Sequence, residues 1–504
     1  MGYGSHKSSG FPSACLMAAL LFLLGGCRLS PPYLKWSTDP LQSGISTAHD
    51  YILKYRKKPV TAEVGRNLLT IEDCRNLALV NNLDLQVELI DEAVKKALKQ
   101  SQRVKTLPHM VFSGELSERD NQRWSYSEVL GQEGITASPG EKGTGVTNFS
   151  NSHERSTWRY SMETRWSPTE AALAYYLFDS SSNDRLKAHF QSLRVGQRLV
   201  GGVEAAFYRL LGLTENLPLA ERLYGLRASV STKAGQLLKD KLLEREDYYR
   251  AKQNLLKAER LRTKIRIDIR KQRNVLGSAM GLSPDLCLDG GFGLVGSLCA
   301  PSPPAEVCEL ELQAVNSRPE AYMAGLAYVN SVNDLRRTIV KYFPTVTGFW
   351  RYTRDKDKFV YEKEWKDVGV MVYFDLLDWL ANTRDSKATK ANSLKTHRQI
   401  GSIALGIVSE VRVTALDYLD SLDALANKER ALQEAEKMRA VIAGRASLEE
   451  VHKVALQEAE GDVLQERIGK IEALADANAA FAKLRTALGT NYTKPMPKKE
   501  WSVW

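Results

Sequence analysis

No serine or cysteine of this 504-residue chain stands in a nucleophile elbow, and its seven histidines are scattered without H-E-x-x-H or H-x-x-E-H spacing. Hydrolase and zinc-peptidase chemistry have no residues to run on, so the chain reads as no enzyme and as needing no metal or diffusible cofactor. Nine methionines do not cluster, which gives no sign of copper or silver as cargo. Beyond residue 24 no stretch offers 18 consecutive uncharged apolar residues, so no transmembrane helix is expected and any bilayer crossing falls to strands. The formal charge of +10 is spread along candidate helices rather than gathered in a tail, which argues against nucleic acid as a partner. Proline is absent from the 64 residues 379–442, and that absence permits a helix of about 96 Å.

What is present begins with "ACLMAALLFLL" at 14–24, preceded by Lys7. The run is too short for a bilayer span and has the length of a signal-peptide core. It ends in Leu24-Gly25-Gly26-Cys27, which resembles a bacterial lipobox, in which the cysteine becomes the first residue and carries lipid. We expect lipidation at Cys27; ordinary secretion with cleavage near Gly26 is the alternative. Several acyl chains on one residue anchor better than one. Arg28 rather than aspartate implies, for that class of signals, delivery to the outer membrane. Removal of residues 1–26 takes away Lys7 and no acid, so the mature chain keeps a net charge of +9.

The remainder is duplicated. "LALVNNLDLQVELIDEAVKKALKQSQRVKTLPHMVFSGEL" from Leu77 is answered by "LQAVNSRPEAYMAGLAYVNSVNDLRRTIVKYFPTVTGFWRYT" from Leu312, an offset of 235 to 236 residues. Leu107-Pro108 and Phe343-Pro344 each open a strand-like run. In "TWRYSMETRW", Trp158, Tyr160, Met162, Thr164 and Trp166 alternate with Arg159, Ser161, Glu163 and Arg165; in "KDVGVMVYF", Val368, Val370, Val372 and Phe374 share one face. Period two over about ten residues, with aromatics at the ends, has the length and pattern of a transmembrane β-strand, although a half-buried strand of a soluble sheet shares that pattern. Between the paired strands, the first repeat carries some 28 residues more than the second, rich in Gly, Ser and Asn, as suits an exposed hairpin tip.

Each strand pair runs into a long helical pattern. Ile403, Ile407, Val411, Ala415, Tyr418, Leu422, Leu425 and Leu432 recur at three and four. The equivalent pattern from about 169 to 243 contains Pro218, which is expected to kink or break it. Return helices follow at 246–280, very basic, and 448–488. Gly444 supplies a residue tolerant of positive φ for the reversal, and Ser447 with Glu449 and Glu450 reads as a capping box opening the next helix. Four strands cannot close a membrane barrel, so the chain is expected to assemble with copies of itself.

At this point the residues resemble one family, the TolC-like outer-membrane efflux proteins, in their lipoprotein branch. The likeness rests on "LTIEDCRNLALVNNLDL", "VNSRPEAYMAG", the two proline-led strand openings, "VMVYFDLLDW" and "AGRASLEEV", and covers about residues 69–489. It implies a mainly α chain with a small transmembrane β part. Long antiparallel hairpins would form a trimeric periplasmic α-barrel, and four strands per chain would enter a shared 12-stranded outer-membrane β-barrel. It implies a passive exit duct of a tripartite efflux or type I secretion system in a Gram-negative bacterium, opened by a periplasmic adaptor and energised by an inner-membrane pump. The gate would lie at Asp247, Gly444, Arg445, Ser447 and Glu450, with the adaptor docking on Lys241, Leu242, Glu244, Gly444 and Ser447. Departures are Lys453 at an acidic ring position, Lys241 where glycine is usual, and Val441 and Ala446 where tyrosine and arginine are common. Arg445 could substitute. Helix capping and solvated charge explain Asp247 and Glu450 equally well.

The partition that follows is a signal peptide at 1–26, a lipidated extended segment at 27–68, a first repeat at 69–280 and an equatorial linker at 281–308. A second repeat at 309–489 and a tail at 490–504 complete it. Strand pairs are placed at about 108–117 with 158–166 and 345–354 with 366–374. "GFGLVG" at 291–296 matches a dinucleotide-binding pattern but lacks the strand and helix that such a loop joins. Cys287 and Cys299 could form a disulfide in an oxidising periplasm; free thiols there, and at Cys74 and Cys308, are the alternative. Two rival functions remain open: a lipid-anchored periplasmic adaptor, which should contain one helical hairpin, and a non-conducting envelope coiled-coil scaffold.

Overall fold

The computed structural model describes residues 68–121, 124–126, 149–151, 153–282, 292–304, 306–445 and 450–494. Strand β1 (Leu68–Leu69) leads into helices α1 (Ile71–Asn81) and α2 (Leu83–Val104). A capping box between Thr70 and Asp73 starts α1, and Asn82 caps α2 through the Leu85 N–H. Strands β2 (His109–Glu118), β3 (Trp124–Tyr126), β4 (Phe149–Asn151) and β5 (Ser156–Trp166) follow. Helix α3 (Pro168–Lys239) then descends and α4 (Arg245–Ala279) returns. The second half repeats the order: β6 (Gly293–Leu294), α5 (Val307–Ser317), α6 (Pro319–Val340), β7 (Thr345–Asp355), β8 (Glu364–Tyr373), α7 (Leu376–Arg445) and α8 (Glu450–Leu488).

The four long strands form one antiparallel sheet in the order β2-β5-β7-β8, so β2 and β8 are its free edges. Strands β2 and β7 begin immediately after Pro108 and Pro344, where proline's missing N–H ends the preceding helix. Strands β3 and β4 make a short hairpin, and β1 pairs in parallel with β6, so the linker between repeats contributes Gly293-Leu294 to a small sheet.

The helices form a layer with the same handed order. Below the linker, α4 packs on α3, α3 on α8 and α8 on α7; above it the order is α2, α3, α6, α7. Alanines allow the closest approach: Ala205 of α3 meets Ala479 and Ala482 of α8. Around the linker, Leu310 and Ala314 of α5 join Ile407, Val411, Ala415 and Tyr418 of α7 and Leu484, Ala487 and Leu488 of α8 in one core. Two buried arginines brace that level: Arg318 binds Glu320 and Glu410, and Arg194 binds Glu320 at 2.5 Å. Burial alone would raise the Glu320 carboxyl, but the Arg318 hydrogen bond and the two guanidinium charges hold it below its ordinary value.

Pro218 does not break α3, which runs 72 residues through it. The break expected from proline is overridden by tertiary support: one residue pair away, the Asn216 side-chain amide donates to the Ile468 carbonyl at 3.1 Å, and Thr214 turns its hydroxyl onto Leu210 and Leu211. Helix α7 spans 70 residues, about 105 Å. By length and composition alone, residues Leu376–Gly444 could cross a membrane, and 17% of their apolar window is buried.

Candidate functional site: a two-faced sheet above a helical tip

The strand registers sort every side chain of the sheet onto one of two faces. On the first, Phe112, Met162 and Tyr352 lie abreast, as do Met110, Thr164, Trp350 and Val368, with Val346 beside Val372 and Leu116 beside Trp158. The outer strands of this face stay in the open, with Phe112 75% exposed, Val368 79% and Val370 71%, while Met162, Thr164 and Tyr352 between them are half-buried. Leaving so contiguous an apolar face to water is unfavourable by roughly 25 cal/mol per Å², so the face calls for an apolar medium or a partner. One end of it is polar, where Arg354 pairs with Glu364 at 3.2 Å and the Tyr352 hydroxyl donates to Glu364.

The opposite face is charged and self-paired. Arg159 binds Asp355 at 2.9 Å, Arg351 binds Glu163 at 3.0 Å, Arg165 binds the same carboxylate, and Ser113 and Ser161 share a hydrogen bond at 2.7 Å. Beyond this face the loops lock together around Asp357, which accepts from the Phe359 N–H, the Glu154 N–H and His153.

The far end of the helix layer is a tip. Lys239 closes α3, and Lys241 turns the chain with φ of 58°. The Leu242 N–H donates to Leu237 O and the Lys241 N–H to Leu238 O, the paired bonds of a Schellman turn. Lysine therefore occupies the left-handed position that glycine would fill more easily. Leu242 is 62% exposed, and Glu244 is the N-cap of α4 without a side-chain capping bond. Asp247 lies in the first turn of α4, where it and Glu246 pair with Arg250.

Gly444 does not make the second turn. It lies inside α7, which continues to Arg445, and an added Cβ would meet nothing within 4 Å. Residues 446–449, Ser447 among them, lie outside the described residues, and Glu450 is the first residue of α8. The physical reason is that one exposed glycine next to the last residue of so long a helix costs only about 1 kcal/mol, which the rest of the helix outweighs. Cys27 and Cys287 also lie outside the described residues. Cys299, expected to pair with Cys287, is an exposed free thiol 3.7 Å from the Ser297 hydroxyl, and Cys308 is likewise free. The spacing of cysteines along the linker left that pairing unspecified.

Just above the tip, Val230 and Ala234 of α3, Ala251 of α4 and Val454 of α8 form a small core. Beside it, buried Arg227 reaches Asp462 across Gly461, where a Cβ would stand 2.7 Å from the guanidinium carbon. Glu458 has its carboxyl pushed up by burial, with Arg227 and Arg250 opposing and Asp462 and Asp247 reinforcing that shift. Sequence patterns alone did not single out Arg227, Gly461 or Glu458.

No family model matches the chain, and no curated protein matches it by sequence. Solved structures do. The outer-membrane channel OprN aligns over 86% of this chain and 95% of its own, with a TM-score of 0.65 at 15% identity. The chain has the fold of TolC-like outer-membrane channels. The Campylobacter jejuni CmeC outer membrane channel aligns over 84% of this chain and 86% of its own, with a TM-score of 0.66 at 11% identity. The open state of the Neisseria gonorrhoeae MtrE outer membrane channel aligns over 84% and 89%, with a TM-score of 0.59 at 14% identity. In this channel fold the strands and both helical hairpins belong to one continuous layer, and the two hairpins α3–α4 and α7–α8 are not the single hairpin of an adaptor.

Proposed function

We propose that three copies of this chain close into an outer-membrane channel that conducts cargo passively out of the cell. The observation that carries the reading is the sheet: one face apolar and open, the other charged and paired, with two edges, β2 and β8, that pair with no other strand among the described residues. Unpaired backbone at those edges is intolerable in hydrocarbon, and a closed ring is the arrangement that removes it. Twelve strands from three chains would seal the barrel, and the helix layers would extend it as a tube into the periplasm.

A lipid on Cys27 would tether each chain, a role supported by Leu24-Gly25-Gly26-Cys27. The tip would be the gate, built from Asp247, Arg445 and Glu450, with Gly444 and Ser447 beside them in sequence. An adaptor would dock on Lys241, Leu242 and Glu244, where exposed Leu242 offers an apolar contact, and on the turn after Gly444. Adaptor and inner-membrane pump are proposed on the likeness to outer-membrane channels, as are the Gram-negative setting and opening by splayed tip helices.

Planar bilayers test the reading. Purified protein should give stepwise conductance that increases when Asp247 and Arg250 are neutralised together. Absence of conductance under every condition would favour a structural scaffold instead.

A further inference from the structure

The order of elements gives each chain two unlike edges. One runs down β2, α2 and α4; the other runs down β8 and α7. In a closed ring the first edge of one chain meets the second edge of the next, with α4 ascending against a descending α7. At the level of the linker these two helix edges carry opposite charge.

On α4 a buried stripe, Ala251, Ala258, Ile265, Ile269 and Leu276, packs toward α3. The open side shows Leu256 and Ile267 among Lys252, Lys257, Arg260, Lys264 and Arg270, all exposed. None of these five cations makes an ion pair among the described residues, whereas neighbouring Arg266 pairs with Glu221 and Lys271 pairs with Asp268 at 3.5 Å. On α7 the buried stripe Ile407, Val411, Ala415, Tyr418 and Leu425 faces its own chain. Its open side shows Leu416 among Asp417, Asp420 and Asp423, exposed and without an ion pair among the described residues.

Levels agree as well. Arg266–Glu221 ties α4 to α3, Asn216–Ile468 ties α3 to α8, and Glu466–Lys428 ties α8 to α7. Counting along the helices from those ties puts Lys271 and Asp423 about 5 Å apart in height, within one turn.

We propose that the contact between copies is an ionic seam at the level of the linker, in which Arg270 and Lys271 of one chain face Asp420 and Asp423 of the next. The occupant of the basic edge is a second copy of this chain, because the complementary charge lies on the one helix that ring closure brings there. Like charges opposed across an interface are strongly disfavoured, so the seam also rejects the wrong pairing of α4 with α4. The inference rests on the channel reading.

The full-length chain, extracted from membranes in detergent, tests it by size-exclusion chromatography with light scattering. Wild type should be trimeric and should dissociate more readily in high salt. Arg270→Glu with Lys271→Glu should raise the monomer fraction about tenfold, as should Asp420→Lys with Asp423→Lys. All four changes in one chain should restore the trimer, which a merely misfolded variant would not do. A wild-type trimer that either reversal leaves intact, or a fourfold variant that stays monomeric, overturns the seam while the channel reading stands. A wild-type monomer overturns the channel reading itself.

Discussion

Arg227 on α3 and Asp462 on α8 lie 235 residues apart and pair across the backbone of Gly461, so the first long helix is fastened to the last by a buried guanidinium passing over a residue without a side chain. The contact joins the two structural repeats near the tip. Gly461→Ala should therefore cost about 1–3 kcal/mol, because the methyl group must displace a buried cation. Arg227→Met removes the obstruction, so the double variant should be more stable than the sum of the single effects implies. Thermal melting of the four proteins in detergent, followed by circular dichroism, measures that coupling.

Lys241 holds a left-handed backbone conformation that disfavours a Cβ by roughly 1–2 kcal/mol. Lys241→Gly should stabilise the α3–α4 turn by about 0.5–1 kcal/mol, net of the extra freedom glycine has when unfolded. Hydrogen exchange should show slower opening at the tip and no change in the sheet.

The two faces of β8 should respond differently to charge. Val370 lies on the apolar face and Met371 on the opposite one. Val370→Arg should cost about 2–4 kcal/mol in a bilayer. Met371→Arg should stay within about 0.5 kcal/mol. Urea unfolding of vesicle-inserted protein would compare them, and equal effects would mean that the apolar face is not lipid-facing.

Asp357 makes the loops beyond the sheet sensitive to acid. Burial alone would raise its carboxyl, but the hydrogen bonds from the Phe359 N–H, His153 and the Glu154 N–H hold it below 3.8. A depressed carboxylate contributes stability that is complete above its unfolded value and is lost as pH falls through its folded one. Protease resistance of these loops should therefore be constant from pH 7 to about pH 4.5 and decline below pH 3.8, the ordinary value. Asp357→Asn should weaken it near neutral pH and remove the decline on acidification, so that the difference from wild type shrinks below pH 3.8.

Much of the architecture was legible because it is periodic. The spacing of Ile407, Val411, Ala415, Tyr418 and Leu425 marked the side of α7 that is buried, and alternation from Trp158 to Trp166 marked the two faces of β5. Single residues were harder to place. Pro218 reads as a kink or a break because a local rule has no knowledge of Asn216 reaching α8, and Gly444 reads as the turn itself although it is helical, one residue before the end of α7. Arg227, Gly461 and Glu458 stayed hidden for a related reason. Their meaning arises from α3 and α8 lying side by side, and no spacing within either helix encodes it.

The unlike edges of each chain have a consequence for mixed populations. Two chains joined edge to edge still offer one free edge of each kind, so no smaller assembly is satisfied before the ring is complete. A copy damaged at one edge can still be recruited through the other and then halts closure. When intact and damaged copies are made in equal amounts, roughly one ring in eight would contain only intact chains. A defect of this kind would act dominantly, silencing far more channels than its own share of the protein.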